Sequence, residues 1–194
     1  MKKNLLFLFV FTICSLMIFS QEKGSVLNTP DNWLKEIIPF PMKFAPEIDF
    51  VGFEDLRFAP GWSDSTSQEF WTYSFAWYIE NDSPLTEKKL TESFNRYYDG
   101  LVDVDSTNQA DTGNLHHLDK TLSLFVQTKD GFTGKMRLYD AFFTNDYIIL
   151  NIKVKEYFCH KTNMQIILCY LSPKSFEHRV WNIFDDVKIN IKCD

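Results

Sequence analysis

Hydrophobic and polar positions alternate along much of this chain with the two-residue period of a β-strand. The segments with this pattern are 49–58, 69–80, 120–128, 133–142, 147–158, 165–171 and 187–192. The second half reads as a meander of four neighbouring strands, and short turns separate its members. The pattern therefore predicts an antiparallel sheet of about six to seven strands.

Two segments have the period of a helix instead. In the segment 86–101 the apolar residues share one face, and they are Leu90, Phe94, Tyr97, Tyr98 and Leu101. Ser175 predicts the start of a second helix, and its core-facing residues are Val180, Trp181, Phe184 and Val187. A shorter helical stretch is expected over 33–37. Together these elements predict a single α+β domain over 21–194, with the two principal helices packed on one face of the sheet.

Turn chemistry predicts the register of the first hairpin in the meander. A three-residue turn at 129–131, with its glycine in the left-handed conformation, places Leu124 opposite Met136 and Leu122 opposite Leu138. This arrangement pairs apolar with apolar side chains on the inward face.

A second three-residue turn, at 144–146, predicts a cluster of positive charge. It places Arg137 opposite Lys153 and Lys135 opposite Lys155 on the outward face. Like charges in directly opposite positions destabilise a sheet, so something should compensate them. One interpretation is a platform that binds an anionic ligand; the other is that acidic residues from the segment 103–119 or from a neighbouring strand cover the cluster.

The first twenty residues are set apart by their composition. Two lysines precede an uncharged apolar run, and polar residues follow Ser20, which is the layout of a secretory signal peptide. We expect 1–20 to be cleaved near Ser20 and the mature chain to be periplasmic or secreted. Cys14 would carry the lipid of a lipoprotein, but Ile13 stands where a small residue is needed, so no lipid anchor is expected. No later segment is apolar and long enough for a transmembrane span.

Composition excludes several classes of protein. The chain is 45% hydrophobic and 16% aromatic, which does not fit a disordered protein. The leader holds two lysines and no acidic residue, so 18 basic and 26 acidic residues remain and the mature net charge is −8. Nucleic acid is therefore not an expected partner, because phosphate binding needs clustered positive charge.

Three cysteines follow the leader, and an exported protein can keep a disulfide. Cys169 and Cys193 both fall with inward-facing residues, so we expect these two to form a disulfide and Cys159 to stay outside this pair. Their spacing does not match a zinc site.

Two acidic residues fall on apolar strand faces. Glu54 alternates in phase with Leu56 and Phe58, and Asp140 in phase with Met136 and Leu138. A carboxyl group removed from water has a raised pKa and suits general acid or base catalysis, so the pair is the candidate catalytic site of a hydrolase. The alternative is that each carboxyl group is satisfied by an arginine or a backbone N–H.

The aromatic residues offer a third kind of candidate. Trp71, Tyr73, Phe75 and Trp77 share one strand face, which is typical of a core and also of a sugar-binding platform. Trp62 lies in a Pro-Gly turn, so we expect it at the surface as a ligand contact.

Metal and enzyme signatures are weak. His116 and His117 lie near Asp111, but adjacent histidines rarely converge on one ion, and a solvated loop is the simpler interpretation. Asp103 and Asp105 begin a calcium-like loop whose glycine and final acid are missing. The common nucleophile, phosphate-loop and zinc-protease motifs are absent from the sequence, so neither a cofactor nor a metal is expected.

The segments 44–50 (FAPEIDF) and 52–62 (GFEDLRFAPGW) resemble a pattern found in small exported bacterial proteins of uncharacterised function. The likeness is strongest over 39–77 and implies an exported bacterial protein, with no activity or site residues attached. We therefore expect a binding or interaction module of the bacterial envelope, whose partner is an anionic ligand or another envelope protein. A hydrolase and a structural or assembly factor are the alternatives.

Overall fold

The computed structural model describes residues 24–80, 83–103, 118–191 and 193. Its strands are β1 (Leu27–Asn28), β2 (Leu34–Pro39), β3 (Val51–Phe58), β4 (Tyr73–Glu80), β5 (Leu122–Thr128), β6 (Gly131–Asp140), β7 (Asp146–Cys159), β8 (Met164–Ser172) and β9 (Lys188–Ile189). Its helices are α1 (Glu87–Leu101) and a 3₁₀ helix (Arg179–Asp186). Within these residues, neither helix has the length and hydropathy of a bilayer span.

Seven strands form one antiparallel sheet in the order β2-β3-β4-β8-β7-β6-β5, and β1 pairs with β9 in a separate two-stranded sheet. The predicted α+β class and antiparallel sheet are confirmed. Residues 33–37, predicted as a helix, instead run into the edge strand β2, which pairs along β3. Five residues are too few for a stable isolated helix, so pairing with β3 prevails.

Helix α1 covers what we call the inner face of the sheet. Thr86 accepts a hydrogen bond from the backbone N–H of Lys89 and so caps the helix. The predicted apolar face is buried, and Phe94 packs on Phe75 and Trp77 of β4 at ring-centroid distances of 5.8 and 5.6 Å. The helix thus completes the larger of the two cores in the described part of the chain.

The 3₁₀ helix lies on the opposite side, which we call the outer face. Its Val180, Trp181 and Phe184 pack against Leu168 and Tyr170 of β8. The expectation that both helices share one face is therefore wrong. The reason is that β8 is apolar along nearly its whole length and is buried on both faces, so the sheet needs a cover on each side.

A buried ion pair holds the start of the described chain against the outer face. Asp55 pairs with Arg57 and accepts hydrogen bonds from the backbone N–H groups of Val26 and Leu27, at 2.8 and 3.0 Å. These contacts position β1 beside β9.

The register of β5 and β6 differs by one residue from the predicted one. Thr128 pairs with Gly131 across a two-residue turn, so Leu124 lies opposite Lys135 and Leu122 opposite Arg137. Gly131 belongs to the strand, with φ +125°, and a side chain there would meet the Val154 carbonyl. As a result, Leu122 and Leu124 point outward.

The next turn is longer than predicted. Asp140 pairs with Asp146, so five residues connect β6 to β7 and the strands shift by four positions. The predicted cross-strand pairs of cations do not form, because Arg137 lies opposite Ile149 and Lys135 opposite Asn151. The physical reason is the carboxylate of Asp140, which accepts hydrogen bonds from the backbone of 142–144 and closes the turn early.

The disulfide joins Cys159 to Cys193, whereas Cys169 is a free, buried thiol. The predicted Cys169–Cys193 pair is therefore wrong. Cys169 does face inward, but the C-terminal segment runs along the outer face, where Cys159 ends β7. The final strand is also shorter than the predicted 187–192, since only Lys188–Ile189 pairs with β1.

Candidate ligand-binding site

A cavity of about 370 Å³ opens on the inner face, beside the C-terminal end of α1. Most of its lining side chains are aromatic, and these are Phe44, Phe58, Trp62, Trp71, Tyr73, Tyr97, Tyr98 and Phe142. We call it the aromatic cavity. Its size and apolar lining are those of pockets that bind small molecules.

The segment between β3 and β4 builds one wall of the aromatic cavity. The backbone N–H of Trp71 donates to the carbonyl of Trp62 at 2.9 Å, which folds the segment back on itself. The ring of Trp62 then packs on Phe58 at 4.4 Å and on Phe143 of the β6–β7 turn at 5.2 Å. Trp62 is half-buried in this position.

Hydrogen-bonded polar groups lie behind the aromatic wall. The Tyr97 hydroxyl donates to one oxygen of Glu54 at 3.0 Å, and the Trp77 Nε1–H donates to the other at 2.9 Å. Burial raises the pKa of Glu54 to about 8, so its carboxyl group is mainly protonated at neutral pH. The hydroxyls of Tyr73 and Tyr98 bond to each other.

Glu36 of β2 is the only charged side chain among the described residues that line the aromatic cavity. It is exposed and lies next to Leu56 on the inner side of the sheet. One further polar group belongs to the wall: the Nε1–H of Trp71 is buried and has no hydrogen-bond partner among the described residues. The cavity therefore combines aromatic walls with a single acidic group.

The chain matches no protein-family model, no curated protein and no solved structure.

The two predicted catalytic carboxyl groups lie far apart in the sheet. Glu54 is on β3 and Asp140 is on β6, with three strands between them. Four strand spacings correspond to roughly 19 Å across a flat sheet, beyond the roughly 5–9.5 Å between paired glycosidase carboxyls. Both side chains are fully buried, and each is satisfied by its own hydrogen bonds. The structure does not bring them together as one site.

The four predicted cations do share the outer face, but most have separate partners. Arg137 contacts the ring of Tyr147 and donates to Asp119 at 3.2 Å, as the interpretation with a covering acid predicts. Lys153 lies 4.9 Å from the ring of Trp181, and Lys155 lies 5.9 Å from that of Tyr170. Lys135 stays exposed.

A second cavity of about 400 Å³, which we call the outer cavity, adjoins Lys153 and Lys155. Asp130 and Asp185 line it as well, so its charges balance. This balance removes much of the attraction that an anionic ligand would feel.

Sequence reasoning identifies part of the aromatic cavity. Trp62, the predicted ligand contact, lies in its wall, and Trp71 and Tyr73 belong to the predicted aromatic stripe. The core interpretation of that stripe holds for all four of its residues, which are buried in the larger core, although Trp71 and Tyr73 also line the cavity.

The remaining predicted metal candidates fall largely outside the described residues. His116, His117, Asp105 and Asp111 lie outside them, as does the predicted leader with Cys14. In the described ranges, no group of three or more His, Cys, Asp or Glu side chains is arranged to hold a metal ion.

Proposed function

We propose that this chain is an exported binding protein that holds a small, mainly apolar ligand in the aromatic cavity. The observation that carries the proposal is the cavity of about 370 Å³ whose walls include aromatic side chains from the sheet, the β3–β4 segment, α1 and the β6–β7 turn. Export is proposed from the leader-like composition of 1–20.

Binding is favoured over hydrolysis because no pair of reactive groups among the described residues faces the aromatic cavity. The carboxyl group of Glu54 lies behind the wall with both oxygens bonded, and Asp140 binds the backbone of its own turn. A purely structural or assembly role is the competing interpretation. It differs in its expected outcome, because a protein with such a role would not take up a ligand.

A fluorescence titration with N-phenyl-1-naphthylamine, a neutral aromatic probe, tests the proposal. We expect saturable binding by the mature protein and loss of binding in Leu101→Trp, because Leu101 lines the aromatic cavity and an indole there fills it. Leu124→Trp is the matched control, since Leu124 is 68% exposed on the outer face.

Circular dichroism of both variants shows whether they fold. Trp62→Ala, at a half-buried position in the wall, is a second variant that changes the aromatic cavity. Probe binding that is absent from the wild-type protein, or equal in all variants, would contradict the proposal and favour a structural role.

A further inference from the structure

The charges around the aromatic cavity restrict the kind of ligand that it can hold. Glu36 is acidic, and no lysine, arginine or histidine is among the described residues of the lining. A carboxylate or phosphate group would lose its hydration in the cavity without gaining a cationic partner, which is strongly unfavourable. The ligand is therefore neutral or positively charged.

The aromatic rings favour the positive charge. The faces of Trp, Tyr and Phe rings attract cations, and the attraction is larger where water is excluded. Elsewhere in this chain the rings of Tyr147 and Trp181 already carry Arg137 and Lys153, at 3.7 and 4.9 Å. In the described part of the chain, no such side chain covers a ring of the aromatic cavity.

Most polar groups of the wall are already bonded, so a neutral polar ligand finds one buried free donor there, the Nε1–H of Trp71. The Tyr97 hydroxyl is bonded to Glu54, and those of Tyr73 and Tyr98 are bonded to each other. The carboxylate of Glu36, by contrast, takes part in none of the ion pairs among the described residues. It is placed to face a positive group that enters the cavity mouth.

We propose that the ligand of the aromatic cavity is an organic cation, with its charged group held against the aromatic rings and balanced by Glu36. This inference rests on the proposed function and adds the chemical class of the ligand. The negative net charge of the chain, −6, adds a general attraction for cations.

Displacement of N-phenyl-1-naphthylamine by two matched compounds tests the inference. Choline carries a quaternary ammonium group, and 3,3-dimethylbutan-1-ol has the same shape without the charge. We expect choline to displace the probe at about tenfold lower concentration from the wild-type protein. Glu36→Gln should reduce this preference about threefold or more, whereas Glu177→Gln, an exposed position on the outer face, should leave it unchanged.

The outcomes separate this inference from the proposed function. If the probe binds but choline displaces it no better than its neutral analogue, the ligand class is wrong and the binding function stands. If the probe itself does not bind, both are wrong. A preference that Glu36→Gln leaves intact contradicts the role given to Glu36.

Discussion

Single residues decide how the polar groups of this mainly apolar core are satisfied. Glu54 and Asp140 are both fully buried, yet they differ in surroundings. Glu54 accepts hydrogen bonds from two aromatic side chains, whereas Asp140 accepts them from three backbone N–H groups and the Thr144 hydroxyl. The alternation of the strands places both residues inward correctly, but alternation carries no information about their partners.

Glu54 makes the stability of the protein depend on pH. Its pKa is about 8 in the folded protein against an ordinary value of 4.5, so the folded state binds the extra proton between these values. The resulting stabilisation is complete below about pH 4.5 and is lost as the pH rises through 8, by up to about 5 kcal/mol.

Urea denaturation between about pH 5 and pH 9, which brackets this window, checks the dependence. We expect the wild-type free energy of unfolding to fall relative to that of Glu54→Gln, which cannot ionise. Glu47→Gln, the same change at an exposed position, serves as the control. Parallel profiles for the wild type and Glu54→Gln would show that the buried carboxyl group does not titrate in this pH range.

Asp140 is expected to hold the β6–β7 turn and, through it, Phe142 at the aromatic cavity. Asp140→Ala leaves the backbone N–H groups of 142–144 without their acceptor, so we expect a loss of about 2–4 kcal/mol and weaker probe binding. Asp140→Asn keeps one acceptor oxygen, so its free energy of unfolding should lie between those of the wild type and Asp140→Ala. Urea denaturation and the probe titration measure both effects, and wild-type behaviour of Asp140→Ala would refute this role.

At the scale of elements, α1 both covers the core and protects the sheet edge formed by β5. The backbone N–H groups of Thr121 and Ser123 donate to Asp99 and Asn95 of the helix, at 2.6 and 3.0 Å. Further along, the N–H of Gln127 donates to Glu87 at 2.8 Å. These side chains occupy donors that would otherwise be open to pairing with another strand.

Removing one of these acceptors should loosen the edge locally. Asn95→Ala is expected to cost about 1–2 kcal/mol and to speed hydrogen exchange at the Ser123 amide, because that amide loses its partner. Asn95→Asp keeps an acceptor oxygen, and Glu92→Ala changes an exposed residue of the same helix. Unchanged exchange at Ser123 would contradict the proposed edge protection.

The elements that the sequence predicts well are those with a strong period. The apolar face of α1 is buried as expected, and β3 and β4 form near the predicted positions. The register of β6 and β7 is harder to predict from the sequence. The turn between them is closed by Asp140, a strand residue that turn statistics do not include. The short β2 is also hard to predict, since its partner β3 is needed to make it a strand.

At the scale of the whole molecule, the sheet has two covers with different roles. Helix α1 and the aromatic cavity occupy the inner face, and the 3₁₀ helix and the C-terminal segment occupy the outer face. The apolar run of β8 indicates burial on both sides, but strand alternation elsewhere favours a single cover. Which element lies on which side depends on contacts that no local pattern records.

The disulfide ties the outer cover to the sheet and should stabilise the fold without shaping the aromatic cavity. Cys159 and Cys193 are 34 residues apart, for which chain entropy gives about 3–4 kcal/mol. We expect a reductant to lower the free energy of unfolding by this order and to leave probe affinity unchanged under conditions where the protein stays folded. In Cys193→Ser the reductant should have no effect; an equal effect there would argue against this pairing.

The binding claim itself is tested most directly by the indole N–H signals of the five tryptophans in a ¹⁵N-labelled protein. Trp62 and Trp71 line the aromatic cavity, whereas Trp33 and Trp181 belong to the outer core. During titration with 1-naphthol, a soluble neutral aromatic ligand, we predict saturable shifts of the Trp62 and Trp71 signals while those of Trp33 and Trp181 stay in place. Shifts confined to Trp181, at the outer cavity, or no shift at any tryptophan would contradict the account.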